Sequence, residues 1–210
     1  MDFNNFKNKI DEYSTRKLGG LEAQFKLAPA SRKHFFKALA IDENAKKSAV
    51  LVLFYPDKNG ETAFILTLRA NYNGTHSSQI SFPGGKFEIT DENLKNTAIR
   101  ETNEEIGIKS SEITVFKQLT NVYIPPSNFL VTPFMGVLTN SPTFKLNHEV
   151  AKIIKVKLTE LLSDSCITIT NVTTSYNTKM EVPCFILNKT VVWGATAMML
   201  SEIRELLKNI

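Results

Sequence analysis

Hydrophobic positions in this chain switch between helical and strand spacing, and the switches divide it into elements. Phe3, Phe6, Ile10 and Tyr13 recur at helical intervals, which predicts a helix over residues 2–14. Its apolar side has two candidate partners, the rest of the domain or a second copy of the chain in a homodimer. A polar stretch runs on through Gly20, and Pro29 breaks any helix in KLAPASRKHF at 26–35. From Ser48 the pattern is that of strands. SAVLVLFY (48–55) and TAFILTLRA (62–70) flank Asp57-Lys58-Asn59-Gly60, a hairpin-type turn. The loop NYNGTHSSQ leads to a short strand at 80–82 and the Pro83-Gly84-Gly85 turn. After a central helix, segments 112–119, 128–138 and 150–158 read as strands, Thr159 to Leu162 as a short helical turn, and 182–187 as one more strand. A last helix runs from Ala195 to Lys208, with Met198, Leu200, Ile203 and Leu207 among its apolar positions.

Strands on both sides of a central helix, with a second helix last, predict an α/β sandwich with mixed strand pairing. The regular βαβ alternation of a doubly wound dinucleotide fold is missing. The 210 residues suffice for a substantial core. We expect an N-terminal helical and extended segment at 1–44, packed on a main domain at 45–210.

Composition changes this picture little. The formal charge of +4 gives no reason to expect nucleic-acid binding, although it suits a small anionic substrate. Arg32, Lys33 and His34 form a small basic cluster, read either as a solvated linker or as a contact for substrate phosphate. Cys166 and Cys184 form no CxxC pair, and neither has an obvious base beside it, so buried structural thiols in a reducing compartment are expected. The N-terminus lacks an apolar signal core, and the longest apolar run, Ala49 to Tyr55, is far too short to span a bilayer. Together these make the cytoplasm the expected location, with no membrane contact.

The chemistry concentrates in FPGGKFEITDENLKNTAIRETNEEIGI, residues 82–108. Glu101, Glu104 and Glu105 stand at i, i+3 and i+4 on the central helix, where like charges cost about 0.2–0.5 kcal/mol per pair. Gly107 is the expected helix stop, which puts the cluster near the negative end of the helix dipole. Nothing about helix stability favours this arrangement, whereas a bound cation would. With Leu94 at zero and about 100° per residue, Leu94, Ala98, Thr102, Ile106 and Ile99 span about 140°, the core face. Glu105 falls inside that arc at about 20° and Glu101 just outside it at about 340°. A carboxylate turned toward a core needs a partner. Arg100 lies beside Glu104, so it can clamp that carboxylate and leave the others free. Carboxylates without Cys or His suit a hard divalent cation, Mg2+ or Mn2+, and the glycine turn lets main chain come close to it.

This segment resembles the Nudix box, G-x5-E-x7-R-E-U-x-E-E-x-G-U with U aliphatic, through Gly85, Arg100, Glu101, Glu104, Glu105, Gly107 and Ile108. It departs in two places. The Gly-to-Arg interval is one residue longer, so either Asp91 or Glu92 takes the first acidic position, and Thr102 stands where an aliphatic residue is usual. A longer interval of this kind is found in the coenzyme A pyrophosphatase branch. That branch also has an upstream signature similar to LTxR[SA]…H…FPGG, and this chain has ILTLRANYNGTHSSQISFPGG. Leu66, Thr67, Arg69, Ala70, His76 and Phe82-Pro83-Gly84-Gly85 fit it, whereas Asn73, Gly74 and Ser78 replace the usual Leu, Arg and Gly. The Arg missing at position 74 removes one candidate phosphate contact. LAPASR (27–32), HEVAKIIKVKLTELL (148–162) and WGATA (193–197) extend the resemblance over most of residues 25–208.

The resemblance implies a Nudix-type α/β/α sandwich with a mixed sheet. It implies a metal-dependent hydrolase that cleaves coenzyme A or acyl-coenzyme A to 3′,5′-ADP and (acyl-)4′-phosphopantetheine. Mg2+ or Mn2+ would be held mainly by Glu101 and Glu105, assisted by Glu104 and the Gly85 carbonyl. Arg100, Glu101, Glu104 and Glu149 make up the expected catalytic set, with the general base left between Glu149 and Glu101. Arg69, His76 and Lys86 are the expected substrate-binding residues. For Arg69 a structural ion pair is the other reading, and for His76 a loop residue that hydrogen-bonds the turn. Trp193 is a packing anchor or, alternatively, a base-stacking residue. Two other functions stay open at this point: hydrolysis of another nucleoside diphosphate derivative, such as a nucleotide sugar or dinucleoside polyphosphate, and a non-catalytic binding module. A binding module has no need of a self-repelling cluster.

Overall fold

The sheet starts from the turn at Asp57–Gly60. Asp57 Oδ1 accepts from the N–H groups of Asn59 (2.8 Å) and Glu61 (2.9 Å), and Gly60 takes φ +74°. That turn joins β1 (Lys46–Pro56) to β2 (Thr62–Arg69). The computed structural model describes residues 1–33, 42–70, 79–173 and 179–208. Before β1 lie the helices α1 (Phe3–Asn8), α2 (Ile10–Thr15), α3 (Gly20–Phe25) and α4 (Ala30–Lys33). After β2 come β3 (Ile80–Ser81), β4 (Gly84–Lys86) and α5 (Leu94–Ile106). Next are β5 (Thr114–Gln118), β6 (Val122–Ile124), β7 (Phe129–Val137), β8 (Val150–Lys157) and α6 (Leu158–Leu162). The last described elements are β9 (Ile167–Thr173), β10 (Lys179–Leu187), β11 (Thr190–Trp193) and α7 (Gly194–Lys208).

Strands β1 and β2 pair only where Phe54–Pro56 meet Thr62–Phe64, and beyond that point they splay apart. Inside the fork, β3 pairs with β2 at Thr67 and Leu68, and β4 pairs with β1 at Ser48–Val50. The Phe82-Pro83 link between β3 and β4 therefore bridges the fork. On its other edge β1 runs parallel to β7, while β2 runs antiparallel to β8. Strands β5 and β6 pair antiparallel with β7. A separate antiparallel sheet has the order β11-β10-β9.

Alternation along β1 sorts the core into two layers. Ala49, Leu51, Leu53 and Tyr55 pack with Ala98 and Ile106 of α5. Val52 and Phe54 point the other way, into a cluster with Phe6, Tyr13, Met198, Leu200 and Ile203. Helices thus cover both faces of a mixed sheet, the expected α/β/α arrangement.

The stretch expected as one helix over 2–14 forms two short helices separated at Lys9. Its apolar side is spent within this chain: the Phe6 ring lies 4.9 Å from that of Phe54 and 5.3 Å from that of Tyr13. Strands β4, β6, β9 and β11 were not expected; β4 falls on the expected Pro83-Gly84-Gly85 turn. β6 has only three residues, and β9 is exposed or half-exposed throughout, so neither carries a strong burial pattern. Trp193 is the last residue of β11, paired with Cys184, and is half-buried; α7 starts after it, at Gly194. Both cysteines are buried and unbridged. Among the described residues no helix is long and apolar enough to cross a membrane.

Candidate active site

The fork delivers a glycine turn to the C-terminal half of α5, and both glycines are needed for the fit. A Cβ on Gly84, whose φ is +152°, would lie 2.3 Å from the Ala49 carbonyl oxygen. A Cβ on Gly85 would lie 2.4 Å from Oε1 of Glu101. Helix α5 starts at Asn93, whose side chain accepts from the Asn96 N–H at 3.0 Å. It stops at Gly107, whose φ of +76° suits the left-handed cap. Strand pairing and helix caps together press Glu101 and Glu105 against β4.

Glu105 is almost fully enclosed, at 2% exposure. Its Oε2 accepts from the Gly84 N–H at 3.2 Å, and its Oε1 lies 3.4 Å from Nη1 of Arg69. Burial pushes its carboxyl up to about 7, against the pull of Arg69 and the Gly84 N–H. Burial also raises Glu101, partly countered by Arg100. Glu104 is the exposed member of the trio and pairs with Arg100 at 3.1 Å.

Arg100 does more than clamp Glu104. Its Nε and Nη2 bind the two Asp91 oxygens at 2.7 and 3.0 Å, and Nη2 also donates to the Lys86 carbonyl at 3.1 Å. Nη1 reaches Glu101 as well, at 3.0 Å, so Glu101 is not left free as its helical phase suggested. Asp91 is buried and also accepts from Thr97 Oγ1 and the Glu88 N–H, both at 2.9 Å. The Arg100 bonds hold its carboxyl down to about 2. Of the two candidates for the first acidic position, Asp91 is therefore the one that engages the arginine. Glu92 stands outside, in an unusual backbone conformation with φ +58°. A turn of 3-10 helix at Ile89–Asp91, followed by Glu92, takes up the extra residue of the longer interval.

Arg69 ends β2 at a register shift in its pairing with β8, the kind of irregularity that re-aims a side chain. Its Nη1 faces Glu105, and its Nη2 lies 3.5 Å from Oε2 of Glu149. The Glu149 carbonyl accepts from the Ala70 N–H at 2.7 Å, which fixes the backbone there while the carboxylate stays exposed. Glu149, which the sequence sets 44 residues beyond Glu105, thus joins the cluster and repels both Glu101 and Glu105. Lys86 is exposed on β4 beside the turn. His76 and Gly74 lie outside the described residues, as does His34 of the basic cluster. Arg32 donates through Nη2 to the Tyr123 carbonyl.

Among the described residues no three His, Cys, Asp or Glu side chains are closed up into a group able to enclose an ion. Glu101 and Glu104 share the Arg100 guanidinium, while Glu105 and Glu149 share that of Arg69. The donor set nevertheless fits a hard divalent cation on two observations. Glu105 and Glu101 are carboxylates whose charge is disfavoured by burial, and the Glu101 carboxylate packs so close to the Gly85 main chain that a Cβ there would collide with it.

A glycine turn in a strand fork, set against a glutamate-bearing helix on a mixed sheet, is the arrangement expected of a Nudix domain. The family model for the NUDIX domain matches residues 45–166, and the chain belongs to the Nudix family. Over 134 residues it is 33% identical to a Yersinia pestis (strain Pestoides F) protein described as an uncharacterized Nudix hydrolase, NudL. The match covers 63% of this chain and 63% of that protein. A Nudix hydrolase of M. smegmatis, RenU, aligns at a TM-score of 0.55 and 18% identity, covering 79% of this chain and 88% of the other. The MutT protein of Methanosarcina mazei Go1 aligns at 0.53 and 18%, covering 81% and 100%. At these identities the two structures show the fold alone.

Proposed function

We propose that this protein is a metal-dependent Nudix pyrophosphatase that hydrolyses the diphosphate of coenzyme A or acyl-coenzyme A in the cytoplasm. One observation carries the hydrolase reading: Glu101 and Glu105 are lodged against Gly84 and Gly85, with guanidinium groups on either side. In this reading Glu101 and Glu105, with Glu104 and the Gly85 main chain, hold Mg2+ or Mn2+. A cation held there would supply positive charge to the diphosphate and polarise a water for attack at phosphorus. Arg100, anchored on Asp91, fixes the direction of Glu101 and Glu104. Glu149 is exposed and beside the cluster, so it can take the proton of that water. Glu101 is the other base. Arg69 and Lys86 bind phosphate oxygens, and His76 orients the substrate.

Support for coenzyme A comes from the ILTLRA…H…FPGG lead-in and from the longer Gly85–Arg100 interval, which the 3-10 turn accommodates. The absence of arginine at Gly74 favours a second reading, a different nucleoside diphosphate derivative. A phosphate-release screen of diphosphate compounds with Mg2+ or Mn2+, including coenzyme A and acyl-coenzyme A, tests the proposal. Removing the 3′-phosphate, as in dephospho-coenzyme A, should lower kcat/KM by about tenfold, the scale of one lost charged contact. No loss would move the assignment to the second reading.

A further inference from the structure

Four of the chain's five arginines, Arg16, Arg69, Arg100 and Arg204, meet a carboxylate. Arg32, on α4, is the exception among the described residues, which include every Asp and Glu of the chain. It is half-buried. Among the described residues its Nη2 donates to the Tyr123 carbonyl, and its enclosed Nε has no acceptor. Burial pulls the guanidinium below the usual arginine range, with no anionic neighbour to restore it. A charge taken out of water without a counter-charge is costly. Such a group is short of an anion, and its planar donors match the oxygens of a phosphate.

Strand register ties this position to the glycine turn. Phe87, two residues beyond Gly85, donates its N–H to the Lys47 carbonyl at 3.0 Å. Lys47 pairs with Leu130 of β7, and Leu130 with Tyr123 of β6. One row of the sheet thus leads from the turn to the carbonyl that Arg32 holds, over three strand spacings or about 14 Å. Lys47, inside that row, is exposed and adds a second cation along it. The ribose and diphosphate of a nucleotide, together with the reach of the side chains at either end, cover such a span.

We propose that Arg32 binds a phosphomonoester that the substrate carries away from its diphosphate, as the 3′-phosphate of a nucleotide does. This rests on the reading of the site as a diphosphatase. It also supplies a cation for the contact that Gly74 cannot make.

Calorimetry on the full chain with adenosine 3′,5′-bisphosphate and with 5′-AMP tests this without turnover. Wild type should bind the bisphosphate more tightly. In Arg32→Met that preference should shrink about tenfold, the scale of one charge-assisted contact. Arg32→Lys keeps a point charge and should shrink it by less, and it serves if the methionine variant fails to fold. A purely structural arginine would weaken both ligands alike, so an unchanged preference in a folded variant would overturn the proposal. A wild type without the preference would do the same. Full displacement of the bisphosphate by an equal concentration of inorganic phosphate would also overturn it, by assigning Arg32 to free phosphate. Failure of the diphosphatase reading would show separately, as no phosphate release from any diphosphate compound.

Discussion

Glu202 in α7 and Glu105 in α5 are both enclosed, at 0% and 2% exposure, yet their surroundings differ in kind. Glu202 accepts from the Gly20 N–H (3.0 Å), Gln24 Nε2 (3.1 Å), the Thr120 N–H (3.2 Å) and Thr120 Oγ1 (2.6 Å). Those four donors tie α3, α7 and the loop after β5 together. Among the described residues, Glu105 accepts from one main-chain N–H at 3.2 Å and lies 3.4 Å from the Arg69 guanidinium, with Glu101 and Glu149 repelling it. A buried carboxylate whose acceptor sites are filled holds a fold together. One left short of donors has capacity for a ligand. Enclosure alone does not separate structural from functional acids; the donor count does.

The largest effect should come from Glu105→Gln. Metal-dependent phosphate release should fall at least about a hundredfold, the scale of removing a main electrostatic group from a site. In metal-free buffer Tm should stay equal or rise, because a disfavoured buried charge is gone. Undiminished turnover would refute the role given to Glu105.

Glu202→Leu should show the opposite pattern. Four donors lose their acceptor, costing about 3 kcal/mol, or about 6–12 °C in Tm for a chain of this size. KM of the folded fraction should not move. A variant with native Tm would remove the contrast between the two glutamates.

Acidity gives a further test of Glu105. The folded-state Glu105 carboxyl, at about 7, lies above its ordinary 4.5, so the metal-free fold binds more protons than the unfolded chain between those values. Its contribution is fully present below about 4.5 and is lost as pH rises through about 7. Metal-free Tm should therefore decline over that window in wild type and decline less in Glu105→Gln. Equal slopes would refute the assignment. Asp91 behaves in the reverse sense: held at about 2, it stabilises above its ordinary 3.8 and ceases to as pH falls through about 2.

The smallest effect belongs to Glu104→Gln. Its carboxylate is 52% exposed and, among the described residues, pairs with Arg100 at i,i+4, so stability should change by under about 0.5 kcal/mol in thermal unfolding. A large loss of Tm would mean that the pair carries weight the geometry does not suggest.

Much of the fold was legible because its signals are local. β1 and β2 declare themselves by β-rich runs around a Gly-containing turn, and α5 by its caps and by Gly107. The phase of α5 correctly put Glu105 at the core edge and Glu104 outside. Strands β6 and β9 were not legible, since the burial that would mark them is slight. The division of 2–14 into α1 and α2 likewise goes with long-range packing, the Phe6 ring lying between those of Tyr13 and the strand residue Phe54.

What the chain's order of residues determined by itself was the ingredients: a glycine turn followed by a helix bearing glutamates at i, i+3 and i+4, with an arginine immediately before the first of them. Covalent spacing and helical period are enough for that. Tertiary structure alone decided which partners those groups meet. The splaying of β1 and β2 puts Gly84 under Glu105, the irregular end of β2 turns Arg69 toward it, and β8 carries Glu149 alongside. The 3-10 turn selects Asp91 over Glu92 for Arg100. Each of these is a contact between segments far apart in the chain or a choice between adjacent residues, set by packing and hydrogen-bond geometry that no periodicity records.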